Sequence, residues 1–321
     1  MKNPLTLDWI TLTDYPANPH RLDVKCSGQT LDISVQDSVK NTVLDICENF
    51  PAPYNIMCTG GVDSQCVLYA WKNYATTQAL AQTQIHSFIY NEQSNMFDMA
   101  GLPELCAIYG FKHNYWDFDL LEFVDSGECL ALQKKYLTYS PQMPAHIKMM
   151  SSFNTGTQIM SGNLVLSPDL LGMGAEHYSL IRYAKEINPL NSDKKVIPFF
   201  FLHDHQIARA GSHKNNLIPT EQILTLAEQK FNYIDKGSAS KCASLLLHGF
   251  PVIPQEFNYS GFEKFKDVYE KHHTATLKEK LMASRCVLDM DKVSHRVFDI
   301  HHRYLASTKF VRPKGINIIN N

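Results

Sequence analysis

"YNIMCTGGVDSQCVLYAWKN", residues 54–73, is the stretch on which the reading of the fold turns. It opens with an apolar run, tightens at Gly60 and Gly61, and continues in residues that suit a helix. A buried strand that passes into a helix through two glycines lets the backbone approach a ligand closely. The amides of Gly60 to Ser64 then gather at a helix N-terminus, where partial positive charge collects, and that geometry binds phosphate. No Gly-Lys-Ser or Gly-Lys-Thr follows, so this is not a Walker loop, and the G-x-G-x-x-G dinucleotide fingerprint is absent. The plainer alternative is a tight strand-to-helix turn with Asp63 or Ser64 as N-cap.

Outward from the loop the pattern alternates. "YNIMC" predicts a strand, "SQCVLYAWKNYATTQAL" a helix, and "QIHSFIY" a strand. "MFDMAGLPELCAIYG" predicts a helix closed by Gly110, and "KHNYWDFD" another strand. "LLEFVDSGECLALQKKYL" and "PAHIKMMSSFN" read as helical, and "TQIMSGN" as one further buried strand. This β-α order implies an α/β fold, a parallel sheet with helices on its faces. Before it, residues 1–50 read as short strands, a hairpin turning at Ser27-Gly28, and a helix starting at Asp37-Ser38. Residues 51–185 form the expected nucleotide-binding unit, and 186–321 a mostly helical region that completes the substrate cleft.

Composition narrows the function class. A 44% hydrophobic content over 321 residues supports a substantial core. A net charge of −2, with 19% charged residues, gives no global field that favours nucleic acid or membrane, so either contact has to be local. No apolar run approaches the length of a membrane span, and a cytoplasmic location is the expectation. The eight cysteines include no C-x-x-C pair, which argues for reduced, buried thiols over a local zinc or iron–sulfur ligand set.

Thr59-Gly60-Gly61-Val62-Asp63-Ser64 resembles the S-G-G-x-D-S signature of the PP-loop ATP pyrophosphatases, with a threonine that keeps the first hydroxyl. The resemblance implies a Rossmann-like, HUP-type domain that uses ATP and Mg²⁺. It implies that all six loop residues hold the β,γ-pyrophosphate while a nucleophile attacks the α-phosphate, giving an adenylated substrate and pyrophosphate. Asp63 and Ser64 are then the catalytic candidates: Asp63 holds Mg²⁺ or braces the loop, and the Thr59 and Ser64 hydroxyls stabilise the leaving pyrophosphate. In this superfamily the second strand ends near the adenine, which points here to Ile89, Tyr90 and Asn91. Asp98, Ala100, Ala107, Gly110, His113 and Asp119 follow the superfamily's usual order, each with an ordinary core or surface role as alternative. Ser161-Gly162-Asn163 ends the next strand, where Gly162 is a nucleotide-contact candidate. Gly172-Met173-Gly174-Ala175-Glu176 is similar to the segment by which asparagine-synthetase-type members hold magnesium, making Glu176 a second metal candidate. It departs from that pattern at His177, and a loop with a solvated glutamate is the alternative.

Further along, His203 and His205 flank Asp204, although on a strand the two histidines share a face without the aspartate. Arg209 or Lys214 suits a phosphate contact. Arg296, Arg303, Lys309, Arg312 and Lys314 suit either a polyanion clamp or a solvated basic face. The missing C-x-x-C pairs set the chain apart from sulfur-transferring members, and its organisation is most similar to the synthetase domain of asparagine-synthetase-like enzymes. Met1-Lys2 offers no N-terminal cysteine for a glutaminase half, so ammonia or an amine is expected from solution or a partner. The expected function is therefore ATP-dependent adenylation of a carboxylate or carbonyl oxygen of a small molecule, followed by nitrogen transfer. The alternatives are a nucleic-acid- or tRNA-modifying enzyme of the same architecture and a non-catalytic ATP-binding module.

Overall fold

The computed structural model describes residues 7, 10–15, 18–26, 33–136, 142–162, 175–190, 193–203, 218–234, 236–253, 262–277, 280 and 318–319. A small hairpin comes first: β1 (Ile10–Tyr15) pairs antiparallel with β2 (Asn18–Cys26). The chain therefore reverses between Tyr15 and Asn18, while Ser27-Gly28, where the sequence suggested a turn, lies outside the described residues. Helix α1 (Val35–Asn49) starts slightly earlier than expected, because Ser34 is its N-cap. The Ser34 hydroxyl oxygen accepts from the Asp37 amide at 3.0 Å and its proton goes to the Asp37 carboxylate at 2.6 Å.

From Tyr54 the expected alternation appears. In order come β3 (Tyr54–Met57), α2 (Val62–Tyr74), α3 (Thr77–Ala81) and β4 (Thr83–Tyr90). Then follow α4 (Leu102–Tyr109), β5 (Lys112–Phe118), α5 (Leu120–Asp125), α6 (Glu128–Tyr136), α7 (Gln142–Ser152) and β6 (Gly156–Met160). The single helix expected beyond Ser64 is two, because the Thr76 hydroxyl accepts from the Ala79 amide at 3.1 Å and caps a new start. Gly110, at φ 73, closes α4 as the sequence indicated.

The sheet continues past residue 185. That expected boundary falls inside α8 (Ala175–Leu190), and β7 (Lys194–Pro198) adds a further parallel strand beside β6. The short β8 (Ile318–Ile319) pairs parallel with β5 at the other edge. The order is β7-β6-β3-β4-β5-β8, so the chain steps from β3 outward to β4 and β5, then returns to the opposite side of β3 for β6 and β7. The chain is thus a Rossmann-like parallel α/β protein, with β3 and β6 flanking the point where the strand order reverses.

Both faces of the sheet are covered. Trp71, Ile56, Ile85, Ile159, Val196 and Ile197 are fully buried with the helices packed on them. One polar chain inside the core is paired end to end: the Trp71 indole N–H donates to Thr83 Oγ1 at 2.7 Å, and that hydroxyl donates to the Ala79 carbonyl at 2.7 Å. Among the described residues three more helices follow, α9 (Thr220–Phe231), α10 (Lys236–Leu247) and α11 (Phe262–His272). Helix α11 ties to the turn after β4 through Lys271–Glu92 at 2.7 Å, and the adjoining His273 pairs with Asp125 at the end of α5 at 2.6 Å.

Candidate functional site: the glycine loop at the sheet's switch point

The loop begins where β3 ends. Cys58 still follows the ladder, donating its amide to the His86 carbonyl at 2.9 Å. Its own carbonyl accepts the Ser87 hydroxyl at 2.5 Å, and His113 Nε2 lies 3.0 Å from the same hydroxyl. Two neighbouring strands thus fix the base of the loop. Burial lowers the His113 pKa to about 4, so at neutral pH its ring is an uncharged part of this brace.

Gly60 then takes φ 89, a left-handed conformation that only glycine adopts without strain. Gly61 is the N-cap of α2 at φ −58, and its role is steric. Among the described residues a Cβ there would meet nothing closer than Thr59 Oγ1 at 3.7 Å, which leaves room beside it. Ser64 is buried in the first helical turn, and its hydroxyl oxygen faces the Thr59 amide across a long 3.5 Å contact. Asp63, second in the helix, adds favourable charge to an N-terminus that carries no side-chain cap.

Two long-range contacts complete the loop. Lys241 on α10 brings its ammonium 2.5 Å from Asp63 Oδ2, with the two side chains 13% and 15% exposed. The Gln65 side chain donates to the Gly60 carbonyl at 2.8 Å and to the Ile253 carbonyl at 2.7 Å, and accepts from the Ile253 amide at 2.7 Å. Neither Lys241 nor Gln65 stood out in the sequence, because each acquires its role through a contact almost two hundred residues away.

The other expected positions are more dispersed. Gly162, at φ 67, follows β6 next to the loop, since Met57 and Met160 are register partners. Tyr90 ends β4, but its side chain is 3% exposed and lies in the core, where burial pushes its hydroxyl pKa up. Its amide donates to Asn95 Oδ1 at 2.9 Å. Asn91 joins two strand ends: Oδ1 accepts from the Leu120 and Leu121 amides at 2.6 and 3.0 Å, and Nδ2 donates to Asp119 at 3.0 Å. Glu176 is the second residue of α8, its side chain outside what is described, and Gly172 to Gly174 lie outside the described residues. So do Asp204, His205, Arg209, Lys214 and the basic residues from Arg296 to Lys314. His203 sits 3.4 Å from Asp45.

The described thiols are poor nucleophiles. Burial pushes Cys58 up to about 11 and Cys66 well above its ordinary value, with the Asp63 charge adding to the latter. Among the described residues no group of three or more His, Cys, Asp or Glu side chains could hold a metal ion. No described helix is long and apolar enough to cross a membrane.

Fold and loop together define a Rossmann-like parallel α/β protein with its glycine turn at the carboxyl end of the switch-point strand. No protein-family model matches the chain, and no curated protein does. Among solved structures it is similar to the U34-tRNA thiolase NcsA from Methanococcus maripaludis with its [4Fe-4S] cluster, at 13% identity over 86% of this chain and 84% of that one, TM-score 0.31. At that identity and TM-score the match says nothing of substrate or mechanism.

Proposed function

We propose that the chain binds ATP with its β- and γ-phosphates against the loop from Thr59 to Ser64 and cleaves it between the α- and β-phosphates, adenylating an oxygen acceptor. The observation that supports this most strongly is the loop's placement. Two glycines and an uncapped helix N-terminus lie at the reversal of strand order, where open parallel sheets take their ligands. In this reading the amides of Gly60 to Ser64 and the hydroxyls of Thr59 and Ser64 meet the charge that builds on departing pyrophosphate. The open space beside Gly61 admits the phosphates. Gly162 lines the neighbouring strand end, and Tyr90 takes part by ending β4, its buried side chain being structural.

Magnesium fits this chemistry. It keeps most of its coordination to water and phosphate and needs only one or two protein carboxylates. Asp63 supplies one at the loop, and Glu176 is proposed as the second. The bound ion would supply charge neutralisation to the triphosphate.

Two acceptor classes follow from the same step. A carboxylate or carbonyl oxygen that then takes nitrogen is the amide-forming course, for which the comparisons lend no support. The base carbonyl of an RNA is the other, and we place it alongside. The test incubates the protein with γ-labelled ATP in two arms, one with carboxylates plus ammonium and one with bulk tRNA. AMP and pyrophosphate in either arm support the proposal and name the acceptor class, and polyanion binding that weakens steeply with salt accompanies the RNA arm. ADP with orthophosphate overturns it. Nucleotide binding without cleavage in every arm leaves a non-catalytic ATP-binding module.

A further inference from the structure

Gln65 holds both carbonyls of the glycine pair. Its backbone N–H donates to the Gly61 carbonyl at 3.0 Å, and its side-chain Nε2 donates to the Gly60 carbonyl at 2.8 Å. In a trans peptide the C=O and the following N–H point in opposite directions. The amides of Gly61 and Val62 therefore point away from Gln65, whose side chain is buried. For Val62 this is the ordinary outcome of a helix start. For Gly61 it is a choice between two states, because a peptide between two glycines has no Cβ on either side to oppose its turning over. Turned over, it would present the Gly60 carbonyl outward in place of the Gly61 N–H.

The choice is settled from beyond α10. Ile253 offers Gln65 a backbone N–H at 2.7 Å, which only the side-chain oxygen can accept, and a backbone carbonyl at 2.7 Å, which only the side-chain nitrogen can satisfy. That pairing decides which way the carboxamide faces. Nε2 is then the atom left beside Gly60, and its remaining hydrogen requires an acceptor, which the Gly60 carbonyl supplies. Resting on the nucleotide-binding reading above, we propose that Gln65 is a positioning residue of the loop: held by Ile253, it keeps the Gly60–Gly61 peptide turned so that the Gly61 N–H, and not the Gly60 carbonyl, faces the phosphates. Gln65 itself does not touch the ligand. An N–H directed at a phosphate oxygen attracts it and a carbonyl in the same place repels it, so the turn of one peptide separates a loop that accepts an anion from one that rejects it.

Two substitutions test this, with inorganic pyrophosphate and magnesium as probe. Gln65→Glu keeps the acceptor for the Ile253 N–H but cannot donate to Gly60, and a turned-over peptide gives its carboxylate the Gly61 N–H as partner. Gln65→Leu removes every side-chain bond and leaves the peptide free to take either orientation. Stability and binding should therefore rank in different orders. In urea, stability should fall from wild type through Gln65→Glu to Gln65→Leu, whereas calorimetric affinity should fall about fivefold in Gln65→Leu and at least about fiftyfold in Gln65→Glu. Gly60-Gly61 is the single Gly-Gly pair of the sequence, so glycine labelled at its carbonyl carbon and amide nitrogen isolates the Gly61 amide signal in NMR. That amide should exchange with water at least about tenfold more slowly in Gln65→Glu than in wild type, although the variant is the less stable protein. In wild type, pyrophosphate should shift the same signal, a measurement that needs no variant to fold.

Affinities that follow the stability order, a Gly61 amide that exchanges faster in Gln65→Glu, or a Gly61 signal unmoved in wild type that binds pyrophosphate would each overturn the positioning role and leave the nucleotide site standing. So would full affinity in Gln65→Leu, which would reduce the effect of Gln65→Glu to its charge. Absence of pyrophosphate and ATP binding in wild type, with magnesium present, overturns both readings.

Discussion

Gln65 and Ile253, 188 residues apart, are joined by two hydrogen bonds of 2.7 Å, one in each direction between the side-chain amide and the Ile253 backbone. The same Gln65 nitrogen reaches the Gly60 carbonyl. One side chain therefore fastens the chain beyond α10 to the glycine turn. Gln65→Leu removes all three bonds from a largely buried site and should lower stability by about 2–3 kcal/mol. Gln65→Glu keeps the acceptor for the Ile253 amide, loses both donations and should fall between. Urea denaturation of the three proteins checks the order.

The two glycines should respond in opposite ways. Gly60 sits at φ 89, so Gly60→Ala should lose about 1–2 kcal/mol of stability through backbone strain. Gly61 sits at φ −58 with room for a Cβ, so Gly61→Val should fold nearly as well as wild type and lose ATP binding. Thermal unfolding beside calorimetric ATP titration separates the effects. Unchanged ATP affinity in folded Gly61→Val would remove the loop from the binding site.

Cys58 and Cys66 should be inert in the native protein, since burial holds both thiols protonated well above neutral pH. Iodoacetamide at pH 7.5 (about one unit below an ordinary thiol pKa) should leave both unmodified until denaturant is added, as read by peptide mass spectrometry. Cys66→Ser buries a hydroxyl in place of a thiol and should cost about 1–3 kcal/mol, with turnover little changed once the acceptor is known. Lost turnover at normal stability would point to sulfur chemistry.

Acid stability should report a buried histidine. His86 places Nε2 3.1 Å from Asn55 Oδ1 and accepts the Trp116 indole N–H at Nδ1 at 2.9 Å. Burial, then the charges of His113 and Lys112, lower its pKa to about 3. In the unfolded chain the same ring protonates near pH 6.5, so below that value the unfolded state binds the extra proton. The contribution of neutral His86 is complete above about pH 6.5 and declines as pH falls toward 3. Unfolding free energies from urea denaturation between pH 7 and pH 4.5 should fall more steeply for wild type than for His86→Gln, approaching about 1.4 kcal/mol per pH unit at the acid end.

Local signals carried the central unit. An apolar tetrapeptide, two glycines and a run of helix formers sufficed for β3, the loop and α2, because close backbone turns and strand burial are determined by neighbours in sequence. Gly110 ended its helix as read, for the same reason. At a helix end the local signal was less decisive: Ser34, and not Asp37-Ser38, starts α1.

By itself, then, the sequence determined that a glycine turn joins a buried strand to a helix within a parallel α/β alternation. Only the tertiary structure decided that this turn lies where the strand order reverses, that the sheet runs on to β7 beyond residue 185, and that Lys241, Gln65 and Ile253 converge on the loop. The reason is physical. Backbone conformation and periodicity depend on adjacent residues, whereas strand order and ion pairing depend on which distant surfaces pack together, and a lysine on α10 looks in sequence like any other until packing brings it to Asp63.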